Sequence, residues 1–374
     1  MSSTSTINSR VIQLLGLMLL GALVYIGTQI IIPLAFAFLL SILLLPVYRF
    51  FLRIKFPNVV AILMSVLVAL MLVAGFFVLL GVQLNKLIQD FPTIEKNIHN
   101  HSMMVSHWIE EKFGYSTQKQ REMLNEQLKK LMDSAGSVAG GTAASVSGAL
   151  VYIGLIPLYV FLILFYKNLL VRFLFLCSSR NHHEQVESII YDTEKTLKSY
   201  LIGLLIEMVL LTVMISLILF FMGINYAILI AVIFAIMNLL PYIGALIANV
   251  LAALITLSTS DQLWHVVAVL LTLAVVQFID NNIIMPYIVG SKVRLNALVT
   301  VVALLIGGAL AGVGGMFLAI PTLAVLKLVF DRVDHLKHWG ILLGDERPKL
   351  NPMSAPVLRL RNRLKRKVTE EGAG

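Results

Sequence analysis

Residues 200–221 read YLIGLLIEMVLLTVMISLILFF, an aliphatic run whose one charged side chain, Glu207, stands in its interior. A run of about 20 apolar residues is long enough to cross a hydrocarbon layer as a helix. The pattern persists around it: residues 200–330 hold only six charged side chains, Glu207, Asp261, Asp280, Lys292, Arg294 and Lys327. A soluble core of that length would carry more charge. In lipid the backbone must satisfy its own donors and acceptors, so the expected fold is all-α, a polytopic membrane protein. An acid inside such a helix is costly to bury and marks a functional position.

The composition of the whole chain agrees. Its 374 residues are 59% hydrophobic and 13% charged, with mean hydropathy +0.90, where globular domains carry about a quarter charged residues. The net charge of +9 is unevenly placed: residues 1–83 hold four Lys/Arg and no acid, 84–146 hold seven of each, and 331–374 hold ten basic residues against six acidic. That asymmetry follows membrane sidedness. The run 357–367, VLRLRNRLKRK, has six basic residues without interleaved aromatics, which suits anionic lipid and not nucleic acid. The lone Cys177 rules out an intramolecular disulfide.

Working outward, the uncharged stretch 11–48 would be about 57 Å long as one helix, nearly twice a membrane core. Two spans broken near Pro33 are expected, kept in the mature chain because the run exceeds a signal-peptide core. Residues 59–82 form a third span and complete a first unit, 1–83. An amphipathic helical arm follows over 84–146, with Leu84, Leu87, Ile88, Phe91, Ile94 and Ile98 at helical spacing. At its end and just beyond, Gly136, Gly140, Ala144 and Gly148 place a small residue at every fourth position, which suits close helix packing within one chain or between copies in a homo-oligomer.

The unit 147–199 holds a fourth span, about 148–166, and an interfacial helix over 184–199. The unit 200–330 holds spans five to eight: 200–222, a broken block 226–260, 263–284, and a glycine-interrupted block 297–330. Residues 331–374 form a basic tail. About eight spans in total place both termini in the cytoplasm. The connection 285–296, with Lys292 and Arg294, then falls outside, against the charge rule. Either it is an exception, or a broken or re-entrant segment in 226–260 or 285–330 shifts the count.

Polar groups and helix breakers gather in this last half. Glu207 lies mid-span, and Asn238 opens the interruption NLLPYIG, 238–244, with Pro241 and Gly244. Asp280, Asn281 and Asn282 end a span ahead of Pro286 and Gly290. Gly307, Gly312 and Gly315 soften the final block, and Pro321 follows. Proline removes a backbone donor, and freed backbone groups are tolerated at membrane depth only against protein or a watery cavity. Paired interruptions near ionisable residues are the layout of secondary-transporter sites. The expectation is one hydrated cavity. Around it Glu207 and Asp280 would bind a proton or monovalent cation, Asn238, Asn281 and Asn282 would supply neutral ligands, and Arg294 would meet an acid or an anionic group. Pro241, Gly244, Pro286, Gly290, Gly307, Gly312, Gly315 and Pro321 would serve as breaks or hinges.

Enzyme signatures are missing. The chain has no GxxxxGK[ST], HExxH or GxSxG motif. His99, His101, His182 and His183 lack metal-ligand spacing, so no catalysis, cofactor or metal is expected.

The runs Leu197–Gly203 and Asn238–Gly244, the pattern Asp280-Asn281-Asn282-Ile283-Ile284-x-Pro286-x-Ile288-x-Gly290, and Gly307–Met316 through Pro321 together resemble the AI-2E transporter family, the PerM-like autoinducer-2 exporters. The likeness extends to the layout of the whole chain. Departures are Ala245 after PYIG, Asn296-Ala297, and Leu204 where the family often carries Gln. The resemblance implies eight spans, internal termini, a bacterial plasma membrane, and transport of a small solute. Members are connected with autoinducer-2 export and with sodium or lithium/proton exchange. A non-transporting membrane scaffold that binds partners through the arm is the contrasting expectation.

Overall fold

The computed structural model describes residues 15–16, 19, 21–23, 25–90, 93–94, 96–98, 100, 103, 111–112, 142–240, 243–288 and 295–345. Most of the arm, the run 357–367, Pro241, Gly290, Lys292 and Arg294 lie outside these residues.

Long aliphatic stretches with few competing polar side chains form helices, and no strand occurs among the described residues. The helices are α1 (Thr28–Arg53), α2 (Asn58–Gln89), α3 (Thr142–Leu176), α4 (His183–Phe221), α5 (Ala227–Asn238) and α6 (Ile243–Thr259). They continue with α7 (Trp264–Ile279), α8 (Met285–Ile288), α9 (Ala297–Arg332) and α10 (Lys337–Leu343). Among the described residues, six segments are long and apolar enough to cross a membrane: Thr28–Arg53, Asn58–Gln89, Gly154–Leu176, Arg180–Phe221, Trp264–Ile288 and Ala297–Arg332. The chain is a polytopic, all-helical membrane protein.

The bundle has two recognisable ends. At the basic end, Arg49 pairs with Glu194 at 2.9 Å, Arg332 bonds Asp192 and Ser188, and the Lys167 ammonium lies 4.2 Å from the Tyr48 ring centroid. These contacts tie α1, α3, α4 and α9 together. At the arm end, the Tyr226 hydroxyl bonds Asp90, and Asn97 Nδ2 donates to the Ser258 carbonyl at 3.3 Å.

Several boundaries differ from the sequence reading. The helix does not break at Pro33; α1 runs through it and begins after Gly27, with Pro33 buried in its second turn. The expected interfacial helix and span five are one helix, α4, of 39 residues. At 1.5 Å per residue it extends about 58 Å, well beyond a membrane core. The apolar seam of its first turns faces the other helices, so nothing forces a break.

The larger difference concerns 226–260 and 297–330. Each doubles back instead of crossing. The ends of the α5–α6 unit meet, since Asn225 Nδ2 donates to the Thr259 carbonyl at 3.1 Å. At its tip, a methyl on Gly244 would lie 1.7 Å from the Met237 carbonyl oxygen. Both helices bury a small residue at every fourth position, Ala227, Ala231 and Ala235 against Gly244, Ala248 and Ala252. In lipid, where apolar burial alone gives no drive, such faces allow the backbones to approach.

In α9 the reversal comes at Ala311 and Gly312, the latter at φ +59°. Beyond it, a methyl on Gly315 would sit 2.0 Å from the Gly307 carbonyl oxygen. In a straight helix those residues would be about 12 Å apart. The first arm therefore starts at Asn296, whose amide donates to the Leu343 carbonyl at 2.8 Å, and the second returns toward Arg332 at the same end. Asn296, the last residue of the 285–296 connection, therefore sits at the basic end. One hairpin enters from each end. Leu239 from one tip and Phe317 from the other line a shared apolar cleft with Phe36, Leu39 and Leu204.

Candidate functional site

Three of the residues singled out from sequence meet halfway through the bundle. Glu207 comes from α4, Asn238 is the last residue of α5, and Asp280 follows α7. The Asn238 side-chain amide donates to Glu207 Oε1 at 3.1 Å and to Asp280 Oδ2 at 3.0 Å. Both acids are almost fully enclosed, 4% and 1% exposed. They meet by direct contact through one amide.

Local geometry explains the convergence. Asn238 sits where α5 stops, and the Leu239 and Leu240 amides turn back onto the carbonyls of Ile236 and Met237. Asp280 begins a wide turn, Asp280–Ile284, in which the Met285 amide donates to the Asp280 carbonyl five residues back. Such a bulge inserts an extra residue without ending the helix and recurs at functional sites. The segment DNN was expected to end a span; the widened turn instead carries the helix on to Ile288.

Gln277, which the sequence reading missed, completes the cluster. Its Nε2 donates to Asn281 Oδ1 at 3.2 Å and reaches Asp280 Oδ2 at 3.4 Å. It lies one turn before Asp280 on α7, so the spacing QFID at 277–280 carried the signal. Tyr200 is buried two turns before Glu207 on the same helix. Glu207 Oε2, Asp280 Oδ1 and Gln277 Oε1 are buried without a hydrogen-bond partner. Neither acid forms an ion pair with a basic side chain among the described residues. A cluster rich in buried acceptors and poor in donors is unusual, because burying an ion without compensation costs several kcal/mol.

The other predicted residues are dispersed. Asn281 and Asn282 are exposed beside the cluster, and Asn282 Nδ2 donates to the Phe278 carbonyl at 2.8 Å. Pro286 is exposed on α8. Gly244 closes the tip that bears Asn238, while Gly307, Gly312 and Gly315 shape the opposite hairpin and Pro321 is buried in its return arm. No cluster of three metal-ligating side chains occurs among the described residues.

Comparison with known proteins adds an independent line. Residues 14–334 match the model of a family described as AI-2E family transporter. A Bacillus subtilis protein named "Putative transport protein YrrI" is 26% identical over 315 residues, covering 80% of this chain and 85% of its own length. "Putative transport protein YhhT" of Escherichia coli K12 is 26% identical over 344 residues, 90% of this chain and 95% of its own. "Putative permease PerM" of the same strain is 25% identical over 213 residues, 55% of this chain and 59% of its own.

Proposed function

Because the chain belongs to the AI-2E transporter family, we propose that it is a secondary transporter in which Glu207, Asn238 and Asp280 take up a proton or a monovalent cation as a small solute moves. The charge balance carries this reading: two buried acids share one amide, and three acceptor oxygens around them have no partner. The carboxyl end of α5 adds partial negative charge at the same point. Half-helix ends of this polarity bind coupling cations in discontinuous-helix transporters.

In this reading the site is coupled to the α5–α6 hairpin. Asn238 lies at a hairpin tip, so a proton or cation that engages the acid oxygens competes with its amide and loosens the tip. Asn281 and Asn282, exposed beside the acids, offer neutral hydrogen-bonding groups to a small polar solute. Export of an autoinducer-2-like solute is the form of this reading that the family suggests. A monovalent cation/proton antiporter is the second reading, favoured by the orphaned acid oxygens.

Purified protein in liposomes tests both. Flux of a candidate solute or of sodium is expected to depend on an imposed pH or sodium gradient and to lose that dependence in Glu207→Gln and Asp280→Asn. Normal gradient-dependent flux in both variants removes the cluster from the mechanism. Absence of any flux across a panel of solutes and cations, with the fold intact, favours the scaffold reading with residues 84–146 as the binding arm.

The positive-inside rule favours a bacterial plasma membrane with the basic end on its cytoplasmic face. Cys177, exposed where α3 turns into α4 at that end, reports on it. A membrane-impermeant maleimide should label it in inverted vesicles and spare it in intact spheroplasts.

A further inference from the structure

A cavity of about 440 Å³ lies at the basic end between α1, α3, α4 and the return arm of α9. It is separate from the acid cluster. Its walls are largely apolar, with Phe38, Ile42, Leu164 and Val325 among them. Lys167, Thr193 and Glu194 bring most of its polarity. Glu194 is already balanced by Arg49 at 2.9 Å. Lys167 has no acidic partner among the described residues. Its ammonium rests over the Tyr48 ring, a contact that orients a cation without neutralising it. The Thr193 hydroxyl is buried and makes no hydrogen bond.

The cavity therefore offers one uncompensated positive charge, a free hydroxyl, and an apolar wall. Those are the requirements of an anion that carries a hydrocarbon chain. The order along α1 fits the same ligand. Phe38 and Ile42 precede Tyr48, so the apolar wall lies deeper in the bundle and the charged group lies nearer the basic end. Basic pockets between membrane helices on the cytoplasmic side bind anionic headgroups in this way.

We propose that this cavity binds one anionic phospholipid from the leaflet at the basic end. Its phosphate meets Lys167 and Thr193, and an acyl chain lies against Phe38, Ile42 and Leu164. Occupancy would fasten α1, α3 and α4 to the return arm of the α9 hairpin, since the cavity is lined by all four.

Native mass spectrometry of the full chain in detergent tests this, by titration with phosphatidylglycerol, phosphatidylcholine and oleate. The wild type is expected to bind one phosphatidylglycerol at least tenfold more tightly than phosphatidylcholine. Lys167→Gln should remove that preference, and Thr193→Val should weaken phosphatidylglycerol about threefold. Ile42→Trp, which fills the apolar wall, should reduce phosphatidylglycerol binding while the charge remains. If Ile42→Trp does not fold, Lys167→Gln and Thr193→Val decide, since both lie at partly exposed positions and keep side-chain bulk. Equal binding of the two phospholipids by the wild type overturns the proposal, as does unchanged phosphatidylglycerol binding in Lys167→Gln. Oleate binding as tight as phosphatidylglycerol, and lost with it in Lys167→Gln, overturns the choice of a bilayer phospholipid.

Discussion

The two hairpins of the C-terminal half are built alike and held differently. The α5–α6 hairpin enters from the arm end, and its tip is fixed by side-chain chemistry, one Asn238 amide bonded to Glu207 and Asp280. The α9 hairpin enters from the basic end, and its tip is fixed by shape. Gly307 and Gly315 touch backbone to backbone, Gly314 faces Phe36 and Ile32 of α1, and Phe36 stacks on Phe317 with ring centroids 5.7 Å apart. On the proposed transport reading, a tip held through acids would respond to protons and cations. A tip held through glycines responds to volume. On that reading the same topology would provide one element that senses charge and another that sets a packing register.

The sharpest way to break the contrast is to remove charge from the first tip. Asp280→Asn and Glu207→Gln keep shape and hydrogen bonding but replace an ionisable oxygen. Bonds to charged groups are worth about 1.5–3 kcal/mol, so ion or proton affinity should fall roughly ten- to a hundredfold. Gradient-dependent flux in liposomes reads this directly. The same variants should leave thermal unfolding in detergent close to wild type, or raise its midpoint, because buried unpaired acids are a burden on the fold.

Next in size comes volume at the second tip. Gly315→Ala places a methyl against the Gly307 carbonyl, and Gly307→Ala does the reverse. Neither neighbour is a side chain that can swing away, so the backbones must separate. Overpacking of this kind costs about 1–3 kcal/mol, and the unfolding midpoint should drop in both. Gly314→Ala meets only the rims of Phe36 and Ile32 at 3.4 Å or more and should be nearly neutral. If all three variants behave alike, the hairpin geometry is not what holds this tip.

These contrasts also show what could be read from residues alone. The membrane class followed from charge scarcity, and Glu207, Asn238 and Asp280 stood out because lipid makes each of them costly. Their meeting was anticipated, but its form was not. The hairpins stood only as an open alternative because hydropathy counts apolar residues without direction: 36 residues of α9 read as one span whether straight or folded back. The relevant signal was local. Small residues at every fourth position were noticed at 136–148, yet the same spacing at Ala227, Ala231 and Ala235 and at Gly244, Ala248 and Ala252 marks the first hairpin. A second signal was the clash of Lys292 and Arg294 with the charge rule, which the sequence already tied to a broken or re-entrant segment. Gln277 was overlooked for a different reason. A neutral amide one turn from an acid is ordinary on a soluble helix, and only the buried setting of Asp280 makes it significant.

A third test separates the amide at the first tip from the acids it joins. Asn238→Leu retains size but removes the donor shared by Glu207 and Asp280. The acids then face each other without it, and the tip loses its anchor. Transport should persist at a reduced rate with altered dependence on pH, where the acid variants lose coupling altogether. Loss of flux as complete as in Asp280→Asn, with the pH dependence of the remainder unchanged, would make Asn238 part of the ion site and not a latch upon it.

The smallest effect is expected far from both tips, where the first hairpin is clamped at its base. Tyr226, at φ +59° ahead of α5, bonds Asp90 at the end of α2, and Asn97 bonds the Ser258 carbonyl at the end of α6. Tyr226→Phe removes an exposed bond of the kind that contributes about 0.5–1.5 kcal/mol, so the unfolding midpoint should move by only a few degrees. Its value lies in direction. If the base is a fixed pivot about which the tip moves, freeing it should slow gradient-driven flux while leaving ion affinity unchanged, because no group at the acid cluster is touched. A change in affinity with no change in maximal rate would mean that the whole hairpin shifts as one body, and that its base and its tip are a single mechanical element.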